Sequence, residues 1–389
     1  MSSPWQHVSL GDVLTHRKEF ITINDLTEYR RPRVQLHAQG IVLRDVVQGA
    51  LIKTKSQQVC RAGEFLVAEI DAKVGGFGMV PAELDAAIVS SHYFLFVVDE
   101  SRLDRQFLDY FIRTLAFRDQ VSAQGSTNYA AIRPAHVLGY HIPLPPLDEQ
   151  KRIVARIENL AARLDEARKL RRGANEDAQA LVASTAARLF EPKADWRNLA
   201  IADFCEPTQY GYTESATDEP VGPRFLRITD IQNGDVDWQR VPYCRCPNPE
   251  KYLLKSNDLL FARTGASTGK SFLIRDCPEA VFASYLIRLR VRDTVTADYL
   301  YRYFQSPSYW AQIADEKKGT GQPNLNGSKL EKLTVPVPPF PEQERIVAEL
   351  DALQRELNVL QRIQAETAAE LGALLPSILD RAFKGELSC

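Results

Sequence analysis

No uninterrupted apolar run in this chain approaches the ~20 residues that cross a bilayer. The opening residues, MSSPWQHVSL, lack the basic-then-apolar pattern of a secretion signal. Both observations point to a cytoplasmic protein with no membrane partner. Cysteine is scattered: Cys60, Cys205, Cys244, Cys246, Cys277 and Cys389, of which only Cys244 and Cys246 are close. A C-x-C without a second pair is poor zinc spacing, and reduced thiols are expected. Neither sign of charge prevails, with 48 basic against 50 acidic side chains and a net charge of −2. Nothing draws the whole chain to nucleic acid, so a DNA-binding surface requires local segregation of charge.

Catalytic signatures are missing as well. His7, His16, His37, His92, His136 and His141 form no ligand-spaced pair, and each is expected on the surface or in a satisfied core position. There is no H-E-x-x-H, no paired Cys-x-x-Cys and no G-x-G-x-x-G between a strand and a helix. Asn- or Asp-Pro-Pro-aromatic, the box of an amino-methyltransferase, is also absent. The one suggestive string is GASTGKS, residues 265–271. A P-loop needs four residues between its first Gly and Gly-Lys. Gly265 and Gly269 enclose only Ala266, Ser267 and Thr268, and the following SFLIRD is β-prone rather than helical. No metal site and no catalytic constellation emerges, which favours a role in binding or assembly.

What is present is a repeat. IPLPPLDEQKRIVARI (142–157) matches VPVPPFPEQERIVAEL (335–350) at an offset of 193, a register that runs on to Arg188-Leu189-Phe190 against Arg381-Ala382-Phe383. Upstream the match is looser: WQHVSLGDV against WRNLAIADF, and GEFLVAEIDAKVGG (63–76) against NDLLFARTGASTGK (257–270). The chain is therefore two tandem copies, roughly 1–190 and 191–389. The counterpart of GASTGKS is DAKVGGF, which shares the turn but not its chemistry, so the stretch reads as a scaffolded loop.

Each copy ends in a helical pattern. In the second, Ile346, Leu350, Leu353, Leu357 and Leu360, then Leu371 and Leu374, follow steps of four and three. In the first, Ile153, Ile157, Leu160 and Leu164, then Leu181, take the same register. Arg171 and Gln364 occupy equivalent polar slots near the middle. Prolines and carboxylates mark each helix start. Gly173 and Pro376 predict kinking or fraying. Two seams of one register, one per copy, predict an antiparallel coiled-coil pair within one chain related by approximate two-fold symmetry; pairing between molecules is the alternative. The predicted segments are a globular domain over 1–142, a helix over 143–190, a second globular domain over 191–335 and a second helix over 336–389.

The globular parts read as mixed α/β (α+β), with short β-prone runs followed by helical stretches at 104–121 and 297–314. After each comes a polar glycine loop, AQGSTNYAAI (123–132) or KKGTGQPNLN (317–326). Such loops suit hydrogen bonding to base edges and phosphates, and equally suit a plain exposed turn.

This layout resembles the specificity subunit of a type I restriction–modification system, on the strength of the two Pro-Pro-x-x-Glu-Gln helix starts, KKGTGQPNLN and the C-terminal LLPSILDRAFKGEL. The resemblance covers nearly the whole chain. It implies two target recognition domains, each reading half of a split double-stranded DNA sequence. The paired helices would act as spacer and as docking surface for two methyltransferase subunits, which carry S-adenosylmethionine. A separate motor–nuclease restriction subunit would join the complex, and this chain itself would be non-catalytic and hold no cofactor. Under that reading the expected DNA contacts are Arg33, Lys73, Asn128 and Arg133 in the first domain. In the second they are Arg263, Lys270, Lys317, Lys318, Gln322 and Asn324. The competing readings are a coiled-coil scaffold that does not touch DNA and a nucleotide-dependent enzyme using Lys270.

Overall fold

The computed structural model describes residues 5–122, 131–232, 234–316 and 325–387. The chain divides into two compact units, Met1–Leu170 with Ala365–Cys389, and Arg171–Gln364.

The first unit opens with β1 (His7–Ser9), β2 (Leu14–Arg17), β3 (Phe20–Thr22), β4 (Glu28–Val34) and β5 (Ile41–Gln48). It continues with β6 (Ser56–Val59), β7 (Phe65–Ala68), β8 (Phe77–Met79), β9 (Ile88–Val89) and β10 (Tyr93–Val98). Then come α1 (Arg105–Ile112), α2 (Leu115–Ser122), α3 (Pro134–Leu138), β11 (His141–Pro143) and the long α4 (Leu147–Leu189). The main sheet has the order β2-β10-β7-β8, all antiparallel. Its central strands are buried on both faces, so their alternation sorts side chains into two cores. Phe65, Val67, Phe94 and Phe96 face Phe107, Phe111 and Phe117 of the helices. Leu66 and Leu95 pack with Ile41, Leu84 and Val89 instead.

The second unit repeats the plan with β12 (Arg197–Ala200), α5 (Ile201–Phe204), β13 (Gln209–Tyr210), β14 (Arg224–Leu226), β15 (Ile231–Gln232) and β16 (Asp235–Val236). It goes on with β17 (Leu259–Ala262), β18 (Ser271–Leu273), β19 (Ala280–Phe282), β20 (Leu286–Leu289), α6 (Ala297–Tyr303) and α7 (Pro307–Glu316). It closes with α8 (Gly327–Lys332), β21 (Thr334–Val337) and α9 (Phe340–Phe383), whose end belongs to the first unit. The sheet order β13-β20-β17-β18 matches that of the first unit. The same sorting recurs: Leu259, Phe261, Ile287 and Leu289 enter one core, Leu260 and Leu286 the other. In each unit the entering strand pairs with the strand that leads into the long helix, β1 with β11 and β12 with β21.

The stretches expected as single helices at 104–121 and 297–314 are each two. Buried Thr114 donates to Phe111 O (2.7 Å) and accepts from Phe117 N (3.3 Å), and so caps α2. Buried Ser306 accepts from Tyr309 N (3.3 Å) ahead of Pro307. A hydroxyl that bonds the backbone locally ends one helix and starts the next.

Within the second unit, α4 and α9 run antiparallel. The Arg171 guanidinium donates to Gln364 O while Gln364 Nε2 donates to Arg171 O (3.1 Å). Gln361 Nε2 donates to Asn175 Oδ1 (3.2 Å), and Arg188 bridges to Glu349 (3.1 Å). Ile346 and Leu350 are buried with Ala186 and Leu189, and Leu357 is buried between Leu353 and Leu360, which are half-buried. Within the first unit, Ile153 and Ile157 at the start of α4 share a core with Leu379, Ala382 and Phe383 at the end of α9. Leu160, Leu164 and Leu371 are half-buried.

Two seam assignments are corrected. Leu181 is 55% exposed and Leu374 44% exposed, and their neighbours Val182 and Leu375 turn inward instead. The two positions are equivalent under the 193-residue repeat. A straight helix drifts ~20° per heptad against a strict 3.5-residue repeat, so four heptads bring the next residue to the seam. The step lies between Arg171 and Asn175, where a spacing of four replaces three.

Gly173 and Pro376 both lie inside unbroken helix. A Cβ added at Gly173 or at Gly372 meets nothing within 4 Å. We expect Gly173→Ala and Gly372→Ala each to stabilise the chain by about 0.5–1 kcal/mol, because alanine restricts the unfolded chain without strain. Thermal denaturation checks this; a lowered midpoint for either would show that the glycine answers a packing need.

Candidate nucleic-acid interface

The central strand of each sheet ends at a corner built on the same hydrogen bonds. After β7, Glu69 N donates to His92 O (2.8 Å) and Glu69 O accepts from Ile132 N (3.0 Å). After β17, Arg263 N donates to Tyr285 O (3.0 Å) and Arg263 O accepts from Leu325 N (3.0 Å). Ile132 and Leu325 lie near the C-terminal ends of the two polar glycine stretches, 123–132 and 317–326, and the backbone ties each of these residues to the end of a buried strand.

The side chains on this shared frame differ. In the first unit the Glu69 carboxylate, 11% exposed, accepts from Arg133 Nη1 (2.6 Å) and bonds His92 Nδ1 (2.7 Å), while Arg133 and His92 are 64% and 69% exposed. In the second unit the Arg263 guanidinium lies 5.0 Å over the ring of Tyr210. The Tyr210 hydroxyl accepts from Gly327 N (2.9 Å). Arg263 Nε is buried and has no hydrogen-bond partner among the described residues. Tyr285 stands where His92 does, and Asn326, which caps α8 through Lys329 N (2.9 Å), where Arg133 does.

The turn beyond the corner is short in both units. In the first, Asp71–Val74 form a 3-10 turn closed by Gly75 at φ +81°, where a Cβ would lie 2.6 Å from Ala38 N. That close approach seats the tip of the β4–β5 hairpin, held by His37 N to Val74 O (2.8 Å) and Ala38 N to Gly75 O (2.9 Å). In the second, Gly265–Ser267 form the 3-10 turn and Gly269 adopts φ +89°, its carbonyl accepting from Tyr309 Oη (2.7 Å). A strand, Ser271–Leu273, follows GASTGK where a P-loop would open a helix.

Among the residues singled out from sequence, Arg133 and Arg263 belong to the corners. Lys73 lies half-buried on the first turn, and Arg33 is exposed on β4, the hairpin strand leading to that turn. Lys270 is exposed at the foot of the second turn, its carbonyl accepting from Ala262 N (2.9 Å). Asn128, Lys317, Lys318, Gln322 and Asn324 lie outside the described residues. Sequence reasoning missed Glu69, His92, Tyr210, Tyr285 and Asn326 as companions, because their meeting depends on sheet order.

Behind each corner a buried carboxylate secures the start of the same strand. Glu64, 4% exposed, accepts from Arg61 N (2.8 Å) and from the Arg17 guanidinium, raising the arginine's affinity for its proton chiefly through that hydrogen bond. Asp258, 2% exposed, accepts from Lys255 N (3.0 Å) and from Arg290 Nε (2.6 Å) and Nη2 (3.0 Å). Arg288, itself 4% exposed, lies 3.5 Å from the same carboxylate, and its burial pulls its pKa below the usual value. The described cysteines are unpaired, and burial pushes the Cys60 and Cys205 thiols up to about 12. Such thiols are poor nucleophiles.

The Glu-Gln of each helix start also has a defined task. Gln150 is fully buried: its Oε1 accepts from Asp104 N (2.8 Å), and its Nε2 donates to Arg102 O (2.8 Å) and Pro145 O (2.8 Å). Gln343, equally buried, accepts from Thr296 N (2.9 Å) and donates to Thr294 O (3.3 Å) and Pro338 O (2.9 Å). Asp104 and Thr296 are the N-caps of α1 and α6. Each glutamine therefore brackets a long helix to the cap of a globular-domain helix.

The family profile described as "Type I restriction modification DNA specificity domain" matches residues 2–171 and 193–367. The specificity subunit of the type I restriction enzyme EcoKI from Escherichia coli (strain K12) is 26% identical over 303 residues, 72% of this chain and 65% of that one. The EcoBI specificity subunit from Escherichia coli is 24% identical over 277 residues, 64% and 58% of the two chains. The matches thus span less than two thirds of the length of these two relatives. Among solved structures, a chain from work on complex assembly and conformational transition of the type I R-M system aligns over 100% of both chains, with TM-score 0.79 and 26% identity. The HsdS subunit from Thermoanaerobacter tengcongensis aligns over 99% of this chain and 98% of its own, with TM-score 0.66 and 27% identity.

Proposed function

This chain belongs to the type I restriction–modification DNA specificity family, and from that premise we propose that it is the sequence-reading subunit of such a complex, each unit recognising one half of an asymmetric, bipartite double-stranded DNA site. The observation that carries the reading is one scaffold used twice with different side chains at the same corner. A duplicated frame with unlike chemistry suits two unlike half-sites. The long helices set the gap between half-sites and dock two methyltransferase subunits, with a motor–nuclease subunit completing the restriction complex. Those partners bind S-adenosylmethionine and perform the chemistry; this chain contributes recognition and is not itself an enzyme. The near-balanced charge fits a subunit that relies on its partners for further phosphate contacts. No described helix is long and apolar enough to cross a membrane, and the complex acts on DNA in the cytoplasm.

Sequencing of methylated sites in cells carrying this chain and its modification subunits tests the reading. The expected result is one split motif with unlike halves and a fixed gap. Methylation without sequence preference would instead support a scaffold that does not touch DNA. The matches found give that alternative no support. The nucleotide-hydrolysing alternative loses its footing because a strand follows Lys270.

A further inference from the structure

Resting on the DNA-recognition reading, we propose that the corner after the central strand reads a base in each unit: Arg263 in the second, and Arg133, positioned by Glu69, in the first. The frame is common, as the paired hydrogen bonds at Glu69 and Arg263 establish. Its substituents are not: Glu69, His92 and Arg133 stand against Arg263, Tyr285 and Asn326. Strand ends and loop returns that keep their backbone while exchanging charge are where a duplicated reader changes its message at least cost to its fold.

The chemistry favours a base edge over a phosphate in both units. Arg263 is stacked on Tyr210, whose own hydroxyl is fixed by Gly327 N. A stacked guanidinium is already ordered, so forming two parallel hydrogen bonds loses little side-chain freedom. Its planar fork matches the O6 and N7 acceptors of guanine in the major groove. In the first unit Glu69 is nearly covered, yet it orders two side chains that are mostly exposed, Arg133 and His92. A carboxylate that fixes an arginine by one nitrogen is a positioning residue, and Arg133 is again the group offered to a guanine. Most other arginines near the sheets are committed: Arg31 to Asp45 (2.8 Å), Arg30 to the carbonyls of Glu83 and Asp85, and Arg17, Arg288 and Arg290 to the buried carboxylates.

The test uses the full chain co-expressed with its modification subunits, reading the methylated motif by sequencing and relative affinity by competition between duplexes. Arg263→Ala and Arg263→Lys should each relax one position of one half-site, lowering discrimination there roughly 10- to 100-fold, and leave the other half-site unchanged. Arg133→Ala and Glu69→Gln should relax one position of the other half-site. A melting curve establishes that each variant is folded, and where an alanine variant is not, the lysine or glutamine variant carries the test. The proposal is overturned if folded variants keep the wild-type motif. It is equally overturned if they weaken all sequences alike, with lysine restoring binding at position 263, which is the behaviour of a phosphate contact. A wild-type complex without sequence preference would remove the DNA-recognition reading itself, and this proposal with it.

Discussion

Asp258→Ala is expected to lower the stability of the second unit by about 3–5 kcal/mol, because it strands a buried cation. Arg288 is 4% exposed, and burial already lowers its pKa; Asp258 is its counter-charge. The carboxylate also holds Arg290 through Nε and Nη2 and satisfies Lys255 N. With ~2–4 °C of melting temperature per kcal/mol for a unit of this size, the midpoint should fall by ~6–20 °C. Glu64→Ala is the matched control and should fall less. Its partner Arg17 is 21% exposed and retains Glu19 and Val59 O (2.6 Å) as acceptors. Asp258→Asn keeps an acceptor for Lys255 N while removing the charge, and should lie between wild type and Asp258→Ala. Thermal or denaturant unfolding of the full chain decides the order. An Asp258→Ala midpoint within about 2 °C of wild type would mean that water reaches Arg288 readily and that the cluster contributes little.

Much of the fold was legible because it is written twice. The repeat of 193 residues was readable from IPLPPLDEQ against VPVPPFPEQ, and the two units do carry the same sheet order. The strands were legible where burial on both faces demands continuous apolar runs, as in FLVA and LLFA. The β-prone RFLRITDI is not one strand: the Asp230 carboxylate turns back to Arg227 N (2.8 Å) and its guanidinium (2.7 Å), and β14 ends at Leu226. Leu181 and Leu374 misled because a heptad counted along a straight helix accumulates error. That both failed at the same repeat position shows the error to be geometric rather than local.

The corner was only half visible. Arg133 and Arg263 stood out as charges in loop-flanking positions, whereas Glu69 and His92 meet through the pairing of β7 with β10 and are tied to Arg133, 64 and 41 positions away in sequence, by the bond from Ile132 N to Glu69 O. The glutamines of the helix starts were visible in the sequence and their task was not. A side chain's role in bonding backbone some 46 residues away leaves no periodic mark.

Removing one of those glutamines should therefore have the other large effect. Gln343→Ala takes the acceptor from Thr296 N and the donor from Thr294 O and Pro338 O at a position with no solvent exposure. A buried group left unpaired costs about 1–3 kcal/mol. Three such groups at the low end of that range, with the void of the lost side chain, put the total near 3–5 kcal/mol. Gln150→Ala should match it, since Asp104 N, Arg102 O and Pro145 O are lost in the same way. The glutamate variants separate hydrogen bonding from packing. Gln343→Glu preserves volume and still accepts from Thr296 N, but an ionised carboxylate cannot donate to the two carbonyls that flank it. Burial beside those carbonyls raises the folded-state pKa of the new carboxyl above its unfolded value of about 4.3. The protonated form is then the one the fold prefers. Its stabilising contribution is present below about pH 4 and is lost as pH rises through the raised folded-state value. Gln343→Glu should accordingly be strongly destabilised at pH 7 and regain part of the difference from wild type on acidification, while Gln343→Ala shows no such recovery. Denaturant unfolding at several pH values measures both. A glutamate variant whose deficit is the same at pH 4 and pH 7 would show that the glutamine's amide donors do not hold the helix start.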